Sequence, residues 1–319
     1  MLFRKVLVTG CGGDIGLAIG RILQEERAAE SVIGCDMQED HAGRIFFDRC
    51  FLAERATAPN YKDALLRIVE RENVDLVIPT SEPELRTLYA NNFFGRRELF
   101  LTANRKAMEI GFDKYKTAEF LRENDLPYPW TRIAAAGAPP EFPCILKNRT
   151  GCGSKDVQIL TDKTYNDRVP SSEEDVFQEW IAGDGAEYTC GLFRSSAGKI
   201  RAIILRRKLR GGVTGCGVVE ERAVIEDLLY ALAEKLKLLG SINVQLRLRE
   251  EIPYIFEINP RFSSTVRFRH KLGFTDVLWS MQDYCGKPLP DYVPAAAGIR
   301  FYKIYEDIID WGVGCGKRQ

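Results

Sequence analysis

Histidine is scarce in this sequence of 319 residues, which contains only His41 and His270. A zinc site built from imidazoles or a Ser-His-Asp triad would need one of these two residues, so both hypotheses are weak from the start. The net charge is zero, from 45 basic and 45 acidic residues. This balance argues against a nucleic-acid partner or a polybasic membrane anchor. No apolar run approaches the roughly 18 residues of a membrane span, and the N-terminal run is too short for a signal peptide.

The nine cysteines also lack a recognisable pattern. Their number is odd and no two form a Cys-x-x-Cys pair, which is typical of free thiols in a reducing compartment rather than a disulfide framework or a zinc ribbon. We therefore expect a cytoplasmic protein. The hydrophobic share of 45% and the charged share of 28% are those of an ordinary globular chain. The length predicts about two domains, at roughly 150 residues each.

The first 105 residues alternate between strand and helix patterns. A β-branched run is followed by a glycine turn and an apolar-periodic helix, and the alternation then repeats. The predicted strands are residues 5–9, 31–35, 74–78 and 99–102, with a helix at 61–72. This order predicts an α/β domain with a parallel, doubly wound sheet.

The pattern changes after residue 105 to antiparallel strand pairs, which predicts an α+β assembly. A long hairpin turning at residues 195–198 and an amphipathic helix at 223–239 are its clearest elements. The predicted strand pairs are 144–147 with 156–160, 176–181 with 187–193, 191–194 with 199–209, and 242–248 with 254–259.

A glycine-rich turn follows the first predicted strand. Residues 9–16 read TGCGGDIG, which fits the TGxxGxIG fingerprint of short-chain dehydrogenases, and Asp36 lies where an acidic residue would hold a ribose hydroxyl. Those enzymes need a Tyr-x-x-x-Lys pair, and none of the twelve tyrosines has a lysine four residues later. The glycines also fit a plain tight turn, so NAD binding stays an alternative.

The most informative string is FEINPR, at residues 256–261. Glu257 and Asn259 are two apart on a predicted strand, so their side chains share one face. Their hard oxygens suit Mg²⁺, and Arg261 adds a cation for phosphate just beyond the strand. On the partner strand, Gln245 is placed to add a third oxygen.

Two further strings precede FEINPR in the chain. A predicted strand within residues 142–147 ends with Lys147. The loop that follows contains Gly151 and Gly153, whose backbone N–H groups could cover phosphates. Residues 177–183 then form an apolar strand with an acidic residue in it, and Glu187 follows. That segment could bind adenine with its backbone and ribose with a carboxylate.

Taken together, these strings resemble the ATP-grasp superfamily, and within it the carboxylate–amine ligases similar to the carbamoyl phosphate synthase large subunit. The resemblance covers essentially the whole chain. It implies an α/β, Rossmann-like pre-ATP-grasp domain at 1–105, followed by an α+β ATP-grasp fold of two lobes at 106–190 and 191–319. Family members keep a Rossmann-like turn without using NAD.

The resemblance also implies a role for individual residues. The metal ligands are Gln245, Glu257 and Asn259. The catalytic group is Arg261, and Lys208 and Arg210 resemble the family's basic contacts to phosphate or substrate, although a solvated basic run explains that pair equally well. The ATP contacts are Lys114, Lys147, Thr150, Gly151, Gly153, Ser154, Glu179, Trp180, Ile181 and Glu187.

The implied activity is ADP-forming ligation of a small-molecule carboxylate to an amine through an acylphosphate, with ATP and Mg²⁺ or Mn²⁺ as cofactors. Neither nucleic acid nor membrane is an expected partner, and a homodimer is plausible. Two alternatives stay open: an NAD-dependent epimerase or reductase that uses the glycine turn, and a non-catalytic ATP-binding protein. The sequence does not identify the acid or the amine.

Overall fold

The N-terminal unit of the computed structural model is a parallel sheet with helices on both faces. Residues 1–91, 99–151, 157–165, 172–182, 186–304 and 306–309 are described. The unit contains β1 (Phe3–Thr9), α1 (Asp14–Glu25), β2 (Ala29–Asp36), β3 (Arg49–Leu52), α2 (Tyr61–Glu72), β4 (Leu76–Ile78) and α3 (Glu82–Ala90). The strand order is β3-β2-β1-β4, all parallel. Val6, Leu7 and Val8 of β1 are fully buried, as expected for a strand covered on both faces.

Two helices lead from this unit into a small antiparallel sheet. The helices are α4 (Arg105–Gly111) and α5 (Lys114–Glu123), and Asp113 caps the second of them by accepting a hydrogen bond from the backbone N–H of Tyr115. The small sheet has the order β5-β8-β6-β7. Its elements are β5 (Thr131–Ile133), β6 (Cys144–Asn148), β7 (Gln158–Leu160), α6 (Asp162–Tyr165) and β8 (Asp175–Glu179).

The rest of the described chain builds a large antiparallel sheet and the helices around it. The elements are β9 (Glu187–Arg194), β10 (Ile200–Arg210), β11 (Val213–Glu220), α7 (Ala223–Leu236), β12 (Gly240–Arg249), β13 (Ile252–Asn259), α8 (Val266–Lys271), α9 (Asp276–Tyr284) and β14 (Arg300–Tyr302). The strand order is β13-β12-β9-β10-β11-β14. The architecture is therefore an α/β domain followed by an α+β fold of two lobes, which confirms the predicted fold class.

Alternation along β12 separates a core face from a polar face. Ile242, Val244 and Leu246 are fully buried and pack in one cluster with Leu229 and Leu232 of α7. The residues between them therefore point away from α7, because successive side chains of a strand face opposite sides. The polar face lies opposite the small sheet, and this arrangement determines where the functional site forms.

The C-terminal helices pack on the N-terminal unit. Val266 of α8 and Val277 and Met281 of α9 share a buried cluster with Val6 and Ile19. The large lobe is thus joined to the parallel sheet through an apolar interface. At this interface the glycine turn of residues 10–16 lies close to the end of β13.

Three sequence predictions differ from the structure. The strands at 176–181 and 187–193 do not pair: β8 pairs with β5 and β6, whereas β9 pairs with β10 and β12. β8 belongs to the small sheet and β9 to the large sheet, so these two strands do not form a hairpin. The helix from 223 ends at Leu236, because Lys237 takes a left-handed conformation (φ 46°). The predicted strand at 99–102 is reduced to one parallel bridge between Val77 and Phe100.

The long hairpin of β9 and β10 and the pairs β6–β7 and β12–β13 are confirmed. The domain boundaries at 105 and 190 stay predictions. Within the described residues, no helix has the length and apolar character needed to cross a bilayer.

Gly16→Ala provides a test of the packing between the glycine turn and α1. A Cβ at Gly16 would lie 2.2 Å from the carbonyl oxygen of Gly10, and a backbone oxygen cannot move aside easily. We expect a loss of about 1–3 kcal/mol in the free energy of unfolding, although alanine is the better helix former by about 1 kcal/mol.

Gly13→Ala is the control, since its Cβ would lie 3.3 Å from the same oxygen. Urea denaturation without any nucleotide measures both variants. Equal stability of Gly16→Ala and the wild type would contradict the packing explanation.

Candidate active site

A cleft of about 540 Å³ lies between the small sheet, the large sheet and the glycine turn of the N-terminal unit. It brings together residues that are far apart in the sequence, because each of the three units contributes one wall. Of the residues predicted from sequence, those that line it are Lys114, Lys147, Gly151, Glu179, Trp180, Ile181, Glu187, Gln245, Glu257, Asn259 and Arg261.

The polar face of β12 and β13 forms one wall of the cleft. Gln245 lies directly opposite Glu257, and Asn243 lies directly opposite Asn259, so four oxygen-bearing side chains form two adjacent cross-strand pairs. The register of the two strands shifts between Gln245 and Leu246, so these two pairs lie in the part of the hairpin that is farther from its turn. Within the described residues the side chains of Gln245 and Glu257 make no hydrogen bond, and the Nδ2 of Asn259 is buried without a partner.

Asn243 is a site residue that sequence reasoning missed. It is fully buried, its Oδ1 accepts a hydrogen bond from the Thr189 hydroxyl at 2.9 Å, and its Nδ2 has no partner within the described residues. The signal was present in the alternation of residues 242–247, where Asn243, Gln245 and Arg247 occupy every second position. All three line the cleft.

Lys147, at the end of β6, is buried opposite the oxygen pairs. Its ammonium donates a hydrogen bond to Gln178 Oε1 at 2.7 Å and lies 5.6 Å from the centre of the Phe256 ring. Burial lowers the pKa of Lys147 to about 8, against an upward influence from the Glu257 carboxylate. A buried cation with one neutral hydrogen-bond partner is poised to bind an anion.

Lys114, at the start of α5, also lines the cleft. Its ammonium donates to the carbonyl of Gly151 at 2.5 Å, and its backbone N–H donates to the carbonyl of Arg149 at 3.0 Å. Arg149 in turn forms an ion pair with Asp113 at 2.6 Å. The start of the glycine loop is therefore held in place by α5 and its cap.

Arginine–carboxylate pairs occur at the end of β8 and at the start of β9. Glu187 accepts hydrogen bonds from Arg207 and, at 3.3 Å, from Arg247. Arg247 also lies 5.5 Å from the centre of the Trp180 ring. Glu179 accepts from Arg249. Arg207 is a second residue of the cleft that the sequence analysis missed, although its basic run was noticed.

The remaining predicted residues lie elsewhere. Lys208 and Arg210 are exposed and lie outside the lining of the cleft, where β10 contributes Arg207 and Leu209 instead. Thr150 also lies outside the lining, and its carbonyl accepts a hydrogen bond from Arg86 of α3 at 3.2 Å. Gly153 and Ser154 fall outside the described residues. The roles of these five residues stay predictions, as do those of the predicted residues that line the cleft.

Arg261 and the glycine turn lie at the other end of the cleft. The Arg261 guanidinium donates to the carbonyl of Phe262 at 3.0 Å, while its Nε is buried without a partner within the described residues. Ser263 and Ser264 line this end, together with Gly10, Gly13 and Gly16. The hydroxyl groups of Ser263 and Ser264 thus lie near the predicted catalytic arginine.

The contacts of Asp36 explain the glycine turn without a dinucleotide. Its Oδ2 accepts a hydrogen bond from the N–H of Gly12 at 2.9 Å, and its Oδ1 accepts from the N–H of Gln38 at 3.0 Å. The carboxylate therefore stabilises the turn itself. The close approach of Gly16 to Gly10 likewise explains the glycine at position 16 by packing alone.

Two protein-family models match the chain. One describes a PylC-like N-terminal domain and matches residues 6–94, and the other describes an ATP-grasp domain and matches residues 112–265. Residues 112–265 are therefore similar to an ATP-grasp domain, in agreement with the fold. Residues 6–94 are similar to a PylC-like N-terminal domain, and each match spans less than half of the chain.

Curated relatives are much longer than this chain. The carbamoyl phosphate synthase large chains of Thermotoga petrophila and Thermotoga maritima are each 30% identical over 164 residues, which is 47% of this chain and 14% of the relative. The match therefore spans about one seventh of those proteins.

Solved structures share the fold over most of its length. An ADP complex of N5-carboxyaminoimidazole ribonucleotide synthetase superposes with a TM-score of 0.75 at 15% identity, over 92% of this chain and 80% of that one. An L-amino acid ligase from Bacillus licheniformis gives a TM-score of 0.68 at 17% identity, over 88% and 74%. At these identities the likeness establishes the fold, and function must be argued from the site.

The pKa of Lys147 provides a test of the site's electrostatics without any ligand. The Glu257 carboxylate raises that pKa, so Glu257→Gln should lower it below about 8. Glu250→Gln, in the exposed turn of the same hairpin, should leave it unchanged. NMR titration of lysine labelled at Cε measures the value, and Lys147→Arg assigns the signal. A pKa unaffected by Glu257→Gln would contradict the arrangement.

Proposed function

We propose that the protein is an ADP-forming ligase that joins a small-molecule carboxylate to an amine with ATP. The observation that carries this proposal is the convergence of Lys147, Arg261 and the oxygen pairs of β12 and β13 on one cleft. Cations and hard oxygens at one site are what phosphoryl transfer requires, since its catalysis is mainly positioning and charge neutralisation. The ATP-grasp fold supports the same conclusion.

The oxygen pairs fit a divalent cation of the magnesium class. Gln245, Glu257 and Asn259 offer a carboxylate and two amide oxygens, and Mg²⁺ or Mn²⁺ prefers such ligands. The absence of hydrogen bonds to Glu257 within the described residues leaves its oxygens available. When bound, the metal would neutralise charge on the phosphates of ATP.

The part of the cleft lined by Trp180, Ile181 and Glu187 suits the nucleoside. The backbone at Trp180 and Ile181 continues beyond β8 along the wall of the cleft, which is where the predicted adenine contact falls. Glu187 keeps acceptor capacity for a ribose hydroxyl, because a carboxylate has about four acceptor positions and Arg207 and Arg247 do not fill them all. Lys114 and Lys147 would then lie along the triphosphate.

The proposed reaction has two steps. A carboxylate oxygen of the acid attacks the γ-phosphorus of ATP, the bond from that phosphorus to the bridging oxygen breaks, and ADP leaves. The amine nitrogen then attacks the acyl carbon of the acylphosphate, the carbon–oxygen bond to phosphate breaks, and an amide, inorganic phosphate and a proton result. Lys147 and Arg261 stabilise charge on the transferring group, so neither step needs a histidine or a protein nucleophile.

The two alternatives are less well supported. The contacts of Asp36 account for the glycine turn without NAD. A non-catalytic binding protein has no need for Arg261 together with the three predicted metal ligands at one cleft. A cytoplasmic location and a homodimeric state stay predictions.

Release of ADP tests the proposal. We expect ADP release from ATP and Mg²⁺ only with a matching acid and amine, found by screening pairs of amino acids, small peptides and sugar acids. Glu257→Gln and Arg261→Ala should each lower that rate about 100-fold or more, with the unfolding free energy within about 1 kcal/mol of the wild type.

Lys114→Ala and Lys116→Ala form a matched pair on α5, because Lys114 lines the cleft and Lys116 pairs with Glu109 at the surface. Only Lys114→Ala should weaken ATP binding. Full activity of Glu257→Gln, or equal effects of the two lysine variants, would refute the assignment. Lys208→Ala and Arg210→Ala test the roles predicted for those exposed residues.

The affinity for ATP should fall as pH rises through about 8. Lys147 is charged below its pKa of about 8 and neutral above it, and only the charged form attracts phosphate. Between pH 7 and pH 9 we expect the Kd to rise about tenfold. In Lys147→Arg the guanidinium keeps its charge, so this dependence should disappear whatever the absolute affinity. Parallel pH dependences in the two proteins would exclude Lys147 as the phosphate contact.

A further inference from the structure

Within the part of the chain that the structure describes, three side chains with metal-binding atoms lie close together at the glycine turn. Cys11 follows β1, Cys50 lies in β3, and His41 precedes the short helical turn Ala42–Ile45. The Cys11 sulfur lies 3.7 Å from His41 Nε2 and 3.9 Å from the Cys50 sulfur. All three ligand atoms lie within 4.8 Å of one another.

These separations are those of the ligands in a tetrahedral zinc site. A zinc–sulfur bond of about 2.3 Å and a zinc–nitrogen bond of about 2.0–2.1 Å, at tetrahedral angles, place two sulfurs about 3.8 Å apart and a sulfur and a nitrogen about 3.6 Å apart. The observed 3.9 and 3.7 Å agree closely. The third pair, His41 Nε2 and the Cys50 sulfur, lies within 4.8 Å and would need to close toward the same spacing.

The surroundings leave room for these side chains. A Cβ at Gly34 would lie 2.7 Å from the Cys11 sulfur, and a Cβ at Gly12 would lie 2.6 Å from the His41 ring. A Cβ at Gly43 would lie 2.8 Å from His41 Nδ1 and 2.3 Å from the Cys11 carbonyl oxygen. Glycine at three separate points of the chain therefore allows the thiol and the imidazole to approach each other.

Ordinary core packing explains this cluster less well. Cys50 and His41 are only half-buried, and a structural cysteine is usually fully enclosed. His41 Nδ1 is buried and makes no hydrogen bond within the described residues, so the imidazole has no other polar group to orient it there. Its contact is the thiol of Cys11.

We propose that Cys11, His41 and Cys50 bind one Zn²⁺ ion, with the fourth tetrahedral position taken by water. Two thiolates and an imidazole are ligands for zinc rather than for magnesium, so this site is distinct in chemistry from the oxygen pairs of the cleft. The two thiol protons pass to solvent on binding. The proposal goes beyond the ligase function and does not depend on it.

The ion would link three separate segments of the N-terminal domain. It would join the turn after β1 to β3 and to the segment before Ala42–Ile45, and Gly10 and Gly13 of that turn line the cleft. A metal bound to the folded state alone stabilises that state by mass action. Zinc would therefore hold the glycine turn in the conformation that forms the end of the cleft.

Cobalt substitution tests the proposal on the full chain. We expect the reduced, chelator-treated protein to bind one equivalent of Co²⁺, with thiolate-to-cobalt charge-transfer absorption and the intense visible bands of a tetrahedral site. Zn²⁺ should displace the cobalt and raise the thermal midpoint. Cys50→Ser and His41→Gln should each abolish the charge-transfer and visible bands or reduce them severely, and Cys285→Ser, at an exposed cysteine, should retain them.

The variants are chosen to keep the fold. Cys11 is fully buried, so its replacement carries a risk of misfolding, whereas Cys50 and His41 are partly exposed. Absence of tetrahedral cobalt bands in the reduced wild type would overturn the proposal. Bands that persist in both Cys50→Ser and His41→Gln would also overturn it. The same holds if Cys11 and Cys50 form a disulfide and the protein binds no cobalt after that disulfide is reduced.

Discussion

The pairing of β12 with β13 is the constraint on which the site depends. It places Gln245 opposite Glu257 and Asn243 opposite Asn259, so that oxygen-bearing side chains collect on the face that α7 does not cover. A shift by one residue would turn them into the apolar core and expose Ile242 and Val244. Burial of those apolar side chains against α7 therefore fixes the position of the polar ones, and packing energy maintains the geometry of the site.

Charge is distributed along the cleft in a way that the net charge of zero conceals. Lys114, Lys147 and Arg261 face the space where we place the triphosphate, while Arg207 and Arg247 are already bound to Glu187. Lys114, Lys147 and Arg261 keep N–H donors that are not used in hydrogen bonds, whereas Arg207 and Arg247 orient the Glu187 carboxylate. Only the first three residues are therefore suited to gain anionic partners from a ligand. This division agrees with a ligase that works without imidazole chemistry.

Local patterns predicted more of the fold than long-range pairing did. The parallel domain, the β9–β10 hairpin and the β12–β13 pair follow from alternation and turn residues. The apparent hairpin of 176–181 with 187–193 failed because nothing local shows that a chain crosses from one sheet to another. The same limit explains the missed Arg207: a basic run shows charge, but only the sheet decides which residue faces the cleft. Cys11, His41 and Cys50 escaped notice because their spacing matches no metal motif.

Calorimetric titration of the wild-type protein tests the central claim most directly, since it asks which nucleotide the cleft binds. ATP with Mg²⁺ and NADH are titrated separately into the same preparation at pH 7. We expect one equivalent of bound ATP with Mg²⁺ and no heat of binding from NADH, because the cations of the cleft have unused N–H donors, and the glycine turn is explained without a dinucleotide. Saturable binding of NADH without binding of ATP would contradict this expectation.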